Sequence, residues 1–478
     1  MSDHDYDLVV IGAGAGGLTA AKFAAQIGAR VALVEKDRLG GDCTWTGCIP
    51  SKSLIRAAKV AHDVRVANRF GLVTGPLKVE MGGVQRYLQA VVRAVYEAEP
   101  PEALERKGIA VVFGPAEFQD AHVVRVGERT LRAAKCLITT GAHPVIPSVA
   151  GLNAVPYVTY QQIFDSDHLP ETLLVVGGGP LGMEVAQAYQ RLGSRVTVVA
   201  SRLLPKDDPE AVETMRRVWE REGISFVSGR AISARREGTA IVVATDRTEA
   251  RGESLLVAAG RAPNVARLAL ERAGVKFGDE GIPVDDRLRT NVKHIYAAGD
   301  VLGGEQFSHV AGWQAFHAAR NALLPGTQSG RLNPVTWVTF TDPEVAQVGV
   351  TERQARERFG NGINVARWDM SRVDRARCDG DEDGFMKIVT KADGTLVGAT
   401  IVAARAGEMT GEFSVAIAQQ LKIGDVASSI HAYPTYSTGI EQLASEHATR
   451  NWVLSAQGRL VRRLMGFTKR PHEMRGRS

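Results

Sequence analysis

The sequence predicts an α/β protein, with two Rossmann-like, doubly wound domains and a C-terminal α+β domain. Three observations predict it. A strand, a glycine-rich turn, a helix and a second strand follow one another from Tyr6 to Glu35, and the same order recurs from Thr172 to Val199. From about Asn333 the pattern changes: Val335 to Phe340, Phe385 to Val389 and Leu396 to Val402 read as strands, with helices at Thr351 to Arg358 and Gly407 to Leu421.

In the first unit the apolar run Tyr6 to Ile11 ends in Gly12-Ala13-Gly14-Ala15-Gly16-Gly17. An amphipathic segment, Leu18 to Ile27, leads to a second apolar run that ends at Glu35. Gly12 permits the tight turn, Gly14 lets backbone approach a pyrophosphate, and Gly17 lets the helix pack closely on the strand. Glu35 stands where an acid binds a ribose hydroxyl. A GxGxxG alone recurs by chance; with strand, helix and acid in place it reads as a dinucleotide site.

Gly177, Gly179 and Gly182 repeat that spacing between the strand from Thr172 and a helix that begins near Met183. Two such units imply two dinucleotides. At the end of the next strand, where an acid would repel a 2′-phosphate, stand Ala200, Ser201 and Arg202, and Ser and Arg can donate to a phosphate. NADPH is therefore favoured over NADH, the other reading of Arg202 being a surface charge.

Between the two units lies Gly40-Gly41-Asp42-Cys43-Thr44-Trp45-Thr46-Gly47-Cys48-Ile49-Pro50-Ser51-Lys52, which holds two of the chain's four cysteines. A metal knuckle needs a second ligand pair near by, which Cys136 and Cys378 do not supply, so no metal site is expected. One helical turn separates Cys43 from Cys48. A bent helix start would let them form a disulfide, and its N-terminus favours a thiolate. Spacing alone leaves two inert buried cysteines equally open.

The 478 residues are too many for one core and suit three or four domains. Apolar content of 44% and charged content of 23% fit a globular enzyme. No apolar run reaches the roughly 18 to 20 residues that span a bilayer, the first residues are acidic and polar, and no framework of cysteine pairs is present. A cytoplasmic location is expected. The net charge of +5 is dispersed among acids, so no nucleic-acid partner is expected.

Over nearly its whole length the chain resembles the flavoprotein disulfide reductases, the class I pyridine nucleotide-disulfide oxidoreductases that include lipoamide dehydrogenase, glutathione reductase and mercuric reductase. The resemblance implies FAD in the first site and NADPH (or NADH) in the second. It makes Cys43 the thiol that exchanges with substrate and Cys48 the thiol against the flavin, with Lys52 beside the ring and Glu184 paired to Lys52. It further implies flavin-dinucleotide contacts at Lys36, Gly41, Asp42, Ala116, Thr140, Gly141 and Ala142. Gly260 lies in the segment that leaves the nicotinamide domain, Asp300 meets the ribityl chain, and Gln306 and His309 lie near the isoalloxazine. The C-terminal domain would pair with a second subunit in a homodimer. The domains implied are a FAD-binding part at 1–148, an NAD(P)-binding domain at 149–278, a second FAD-binding part at 279–332, a dimerisation domain at 333–449 and a basic tail at 450–478.

The run His431-Ala432-Tyr433-Pro434-Thr435-Tyr436-Ser437-Thr438 departs from the family. Lipoamide dehydrogenase and glutathione reductase carry a histidine where this chain has Tyr433 and a glutamate where it has Thr438. A phenol titrates near pH 10, about three units above what a general base at neutrality needs. His431 either swings in or is structural, and the structural role is favoured. Mercuric reductases share the tyrosine but also carry a C-terminal cysteine pair, and no cysteine follows Cys378. The expected function is transfer of electrons from NADPH through FAD and the Cys43–Cys48 pair to a small-molecule or protein disulfide, or to a thiol-reactive substrate such as a metal ion. The alternatives are an NAD-dependent lipoamide dehydrogenase using His431, and a flavin-binding redox sensor or membrane-docked partner.

In the tail, Leu460, Leu464 and Phe467 share one helical side and Arg459, Arg462 and Arg463 another, followed by Lys469, Arg470, Arg475 and Arg477. Contact with an anionic membrane or an acidic partner is one reading. A packed terminal helix with a solvated face is the other, and is favoured.

Overall fold

The computed structural model describes residues 4–467. It divides into two compact units: residues up to Leu203 with Gly223–Leu332, and Leu204–Glu222 with the residues from Asn333 on.

The first unit is built on the apolar run Tyr6–Ile11, the centre of a parallel sheet. Val31–Glu35 and then Ile109–Phe113 pair on one side; Arg129–Ile138 and then Ile295–Ala297 pair on the other. Strands covered on both faces must be apolar throughout, which is why Tyr6–Ile11 and Val31–Glu35 do not alternate. Ala20, Ala21 and Ala24 of the helix Ala15–Gln26 are buried in one cluster with Ala315, Ala318 and Ala319 of the helix Ser308–Leu323. Arg129–Ile138 pairs with Tyr6–Ile11 and extends past it. Its first half turns back through Gly127 and Glu128 to pair with Val123–Val126, a two-residue hairpin of the Gly-X kind.

A second parallel sheet has the order Ser225–Ser228, Arg195–Ala200, Thr172–Val176, Ser254–Val257. The helix Pro180–Leu192 lies between its first two strands in sequence, and a small antiparallel sheet spans 233–252. Ala142–Pro144 pairs with Arg261–Pro263. That pairing brings the chain back from the second sheet to the first.

The second unit is a five-stranded antiparallel sheet in the order Thr336–Thr339, Glu344–Gly349, Leu396–Ala403, Phe385–Lys391, Ile363–Asp369. It takes in the helix Pro209–Arg221, which the sequence reading runs within 149–278. The reason is a buried ion cluster. Lys387 Nζ donates to Asp208 at 2.8 Å and to Glu210 at 3.1 Å, and Trp337 Nε1 donates to Asp207 at 2.8 Å. Burial pushes the Asp207 carboxyl up to about 6.

In the tail, Thr438–Leu454 and Ala456–Leu464 are helices. The apolar side of the second is exposed rather than packed, with Leu460 57%, Leu464 76% and Phe467 63% exposed. This corrects the favoured reading of a packed terminal helix. Lys469, Arg470, Arg475 and Arg477 lie outside the described residues. Among the described residues no helix is long and apolar enough to cross a membrane.

Candidate active site

Cys43 sits on the short helix Gly41–Trp45, and Cys48 opens the helix Cys48–Arg65. Both are free cysteines, partly buried. Cys48 Sγ lies 3.2 Å from Ser308 Oγ, at the start of the helix Ser308–Leu323. A hydrogen bond from the Cys43 thiol lowers the Cys48 pKa to about 6 against the cost of burial, helped by Ser308 and by the charge of Lys52. The same hydrogen bond, with burial, pushes the Cys43 thiol far above its ordinary value. The pair is thus one thiol and one thiolate near neutrality.

One turn along the helix from Cys48, Lys52 Nζ donates to Glu184 Oε2 at 2.9 Å, and the Glu184 side chain is only 4% exposed. Pro180–Leu192 carries Glu184 on a buried face. The pair ties the helix Cys48–Arg65 to the helix Pro180–Leu192.

Residues of the first glycine unit converge beside the pair. A Cβ at Gly17 would fall 1.8 Å from the Gly12 carbonyl oxygen, and Gly12 itself has φ +100°. Gly41, at φ +58°, approaches Gly14 so closely that a Cβ there would sit 2.8 Å from Gly14 Cα. Two backbone loops meet with no side chain between them, a cradle for a phosphate group. Glu35 is buried and accepts from the backbone N–H of Ala13 at 2.8 Å and of Asp37 at 3.0 Å. Lys36 is exposed beside it. The Gly114 N–H donates to the Glu35 carbonyl, which starts the strand Ala116–Phe118 next to this acid.

Asp42 and Asp300 are joined by a residue that the sequence reading missed. Arg261 donates to Asp42 Oδ2 at 3.1 Å and pairs with Asp300 Oδ2 at 2.6 Å. Tyr160, also missed, donates to Asp42 Oδ2 at 2.7 Å. Burial lifts the Asp300 carboxyl above its usual range, with Arg261 opposing. Gln306 Nε2 donates to the Arg261 carbonyl at 3.4 Å. Thr140 and Gly141 are tied to Asn264: its Nδ2 donates to the Thr140 carbonyl at 2.9 Å and its N–H to the Gly141 carbonyl at 2.9 Å. Ala142 opens the strand paired with Pro263, next to Gly260 and Arg261. His309 is exposed and stacks on Phe307.

These residues fit a flavin dinucleotide. The glycine cradle is open, Glu35 is buried with lone pairs to spare, and Arg261 Nε is buried without a partner among the described residues. Arg261 stands in the Gly260-Arg261-Ala262-Pro263-Asn264 run, and Ser308 between Gln306 and His309. A polar residue at a helix start next to named site residues was the signal for Ser308. Tyr160 carried none.

At the second glycine turn a Cβ on Gly182 would meet the Gly177 carbonyl, whereas Gly179 faces open space. Arg202 is exposed just past Arg195–Ala200, and its carbonyl packs against Gly178.

His431 and Tyr433 lie in the second unit. His431 Nε2 bonds Glu412 at 2.9 Å and Nδ1 bonds the Ser429 carbonyl at 3.0 Å, so both ring nitrogens are engaged. Burial works against its charge, but Glu412 and the Ser429 carbonyl outweigh it and raise the pKa. A raised folded pKa stabilises below the unfolded value and loses that contribution as pH rises through the folded one. His431→Gln should therefore lower Tm more at pH 6 than at pH 9, and an equal loss at both would remove the imidazolium from the account. Tyr433 is 69% exposed and its hydroxyl donates to Asp374 Oδ2 at 3.1 Å, a bond that raises the phenol's pKa further. The phenol therefore keeps its proton at neutrality.

A family model described as pyridine nucleotide-disulphide oxidoreductase matches residues 6–315, and the dimerisation-domain model of the same family matches 335–444, which fits a homodimer. A mercuric reductase of Acidithiobacillus ferrooxidans is 36% identical over 467 residues, covering 94% of this chain and 83% of the relative. A dihydrolipoyl dehydrogenase of Haloferax volcanii is 35% identical over 457 residues, covering 92% and 95%. Among solved structures, LpdA of Mycobacterium tuberculosis superposes with a TM-score of 0.85 at 29% identity, covering 92% of this chain and 99% of that one. A copper(II) complex of the HOCl-induced flavoprotein disulfide reductase RclA of Escherichia coli gives 0.83 at 27% identity, with the same coverage.

Proposed function

We propose that this chain, which belongs to the pyridine nucleotide-disulphide oxidoreductase family, whose members bind FAD and use NAD(P)H, carries electrons from NADPH through its Cys43–Cys48 pair to a thiol-reactive acceptor. Bound FAD supplies the two-electron relay between nicotinamide and sulfur. The balance is simple: NADPH gives up a hydride, the sulfur–sulfur bond breaks, and the two electrons and one proton leave a thiol and a thiolate. The observation that carries the reading is the placing of the two cysteines at and just before the start of the helix Cys48–Arg65, where Cys48 lies beside Ser308 and the hydrogen bond from the Cys43 thiol lowers its pKa. Cys43 then attacks the acceptor as its proton passes along the hydrogen bond to the Cys48 thiolate, and Tyr433 of the partner subunit donates a proton to the leaving group.

The acceptor class favoured is a soft metal ion or a reactive disulfide. A thiolate present at neutral pH binds soft cations, and the relatives named for mercury and the copper-bound neighbour agree with that choice. Lipoamide oxidation needs a base for a neutral thiol. His431, with both nitrogens engaged, and Tyr433, with its pKa raised, are poorly suited to that work.

Anaerobic titration with NADPH and with NADH, following visible absorbance and counting thiols, tests the reading. Two equivalents of thiol and a long-wavelength band should appear per NADPH. Arg202→Ala should raise KM for NADPH roughly 10- to 150-fold, the worth of about 1.5–3 kcal/mol for one charge-assisted hydrogen bond, and leave KM for NADH nearly unchanged. Flavin bleaching with no new thiols would leave a plain flavin reductase, and equal effects on both nucleotides would remove Arg202 from the 2′-phosphate.

A further inference from the structure

Charge along this chain is segregated. Eight of its 58 Lys and Arg, but one of its 53 Asp and Glu, fall in 450–478, so the preceding residues hold 50 bases against 52 acids. A net positive charge that the composition spreads over the whole protein belongs to its last helix and the sequence after it.

That helix, Ala456–Leu464, is capped by its own chain, with the Ser455 side chain accepting from the Gly458 N–H at 2.9 Å. Gly458 is the one buried residue along it. A nine-residue helix is marginal in water without an apolar face to bury. Its apolar face is not buried: Leu460, Leu464, Met465 and Phe467 are all more than half exposed, and Trp452 and Leu454 just before it are 46% and 59% exposed. On the helical wheel Leu460 and Leu464 fall together, Arg459, Arg462 and Arg463 take the adjoining arc, and Phe467 follows the end of the helix past Gly466. Long arginine stems can lie along an apolar boundary while their heads stay in water.

We propose that the helix Ala456–Leu464 docks on an anionic lipid surface. Leu460, Leu464 and Phe467 enter the boundary between headgroups and acyl chains, the arginines meet lipid phosphates, and Trp452 suits the same interfacial depth. An anionic bilayer answers both features at once, since it takes up apolar side chains of any shape and supplies many phosphates to a cluster of four to eight cations. No described helix crosses the bilayer, so the contact is peripheral. It would put the reductase near membrane-borne or membrane-crossing acceptors.

The test sediments the FAD-loaded full chain with phosphatidylcholine vesicles, alone and mixed with phosphatidylglycerol. At low salt at least about tenfold more protein should pellet with the anionic vesicles, and the excess should fall as salt passes ~0.1 M, where the Debye length shrinks to about 10 Å. Leu460→Glu with Leu464→Glu should abolish pelleting, with flavin content and the size of the assembly unchanged. Equal pelleting with both lipids, or with neither, overturns the proposal. So does undiminished pelleting of the double variant, which would leave cations alone at work. If the double variant dissociates the assembly, the stripe is covered by a second copy. Retention on polyglutamate without vesicle binding assigns the helix to an acidic protein instead.

Discussion

Cys48→Ser should cut turnover on a disulfide or metal-ion acceptor by at least about a thousandfold, the scale seen when a covalent nucleophile is removed, while NADPH still binds. Serine cannot close a disulfide with Cys43, and its hydroxyl stays protonated where Cys48 titrates at about 6. The variant also reports on Cys43. Its elevated pKa comes first from the hydrogen bond it gives Cys48 and then from burial. Without a thiolate to donate to, the Cys43 pKa should fall toward the ordinary thiol range. Cys43→Ala should do the converse and raise Cys48 above 6, since the largest cause of its depression is gone. Rates of iodoacetamide alkylation against pH on the reduced proteins read both shifts. Turnover of Cys48→Ser within tenfold of the parent, or alkylation profiles that do not move, would show that the two sulfurs are not a coupled pair.

Much of this site could be read before any coordinates. The glycine units, the cysteine motif and Glu35 lie within short stretches whose spacing carries their geometry, and Lys52 stands four residues from Cys48. Glu184 came from the family likeness alone, and the structure gives it a physical reason in burial. What was not legible is whatever depends on the crossing of distant segments. Arg261 meets Asp42 across more than two hundred residues, Tyr160 reaches the same carboxylate from a loop, and Ser308, although it stands next to named site residues, meets Cys48 across 260 positions. The helix Pro209–Arg221 is amphipathic and fits either unit by pattern. Only the charge cluster around Lys387 decides which. The tail was misread for a related reason, because an apolar stripe tells that a helix has something to bury but not whether this chain supplies the cover.

Arg261→Met should release FAD, because among the described residues Arg261 is the cation that bridges Asp42 and Asp300. Asp300 is the more buried of the two, with a side chain 12% exposed against 35% for Asp42. Removing a partner from a buried pair costs about 3–5 kcal/mol. The Asp42 contact is screened by solvent and deserves a smaller share, so about 2–3 kcal/mol is the expected loss. If it falls mainly on the flavin-bound form, that is roughly a 30- to 150-fold weaker Kd for FAD. The sign of the pH dependence follows. Without Arg261, burial and the nearby Asp42 charge push the Asp300 pKa higher still, and a protonated Asp300 no longer needs a cation. The stability gap between parent and Arg261→Met should therefore narrow as pH falls and widen as it rises. Arg261→Lys keeps the charge but loses the fork that spans two carboxylates, and should recover part of the affinity. Apoprotein reconstitution with FAD, followed by fluorescence, and melting curves at pH 5.5 and 8 measure both effects. An unchanged Kd with a gap indifferent to pH would show that Arg261 merely packs between the strands it joins, and that the flavin site is held by its glycine loops and Glu35 alone.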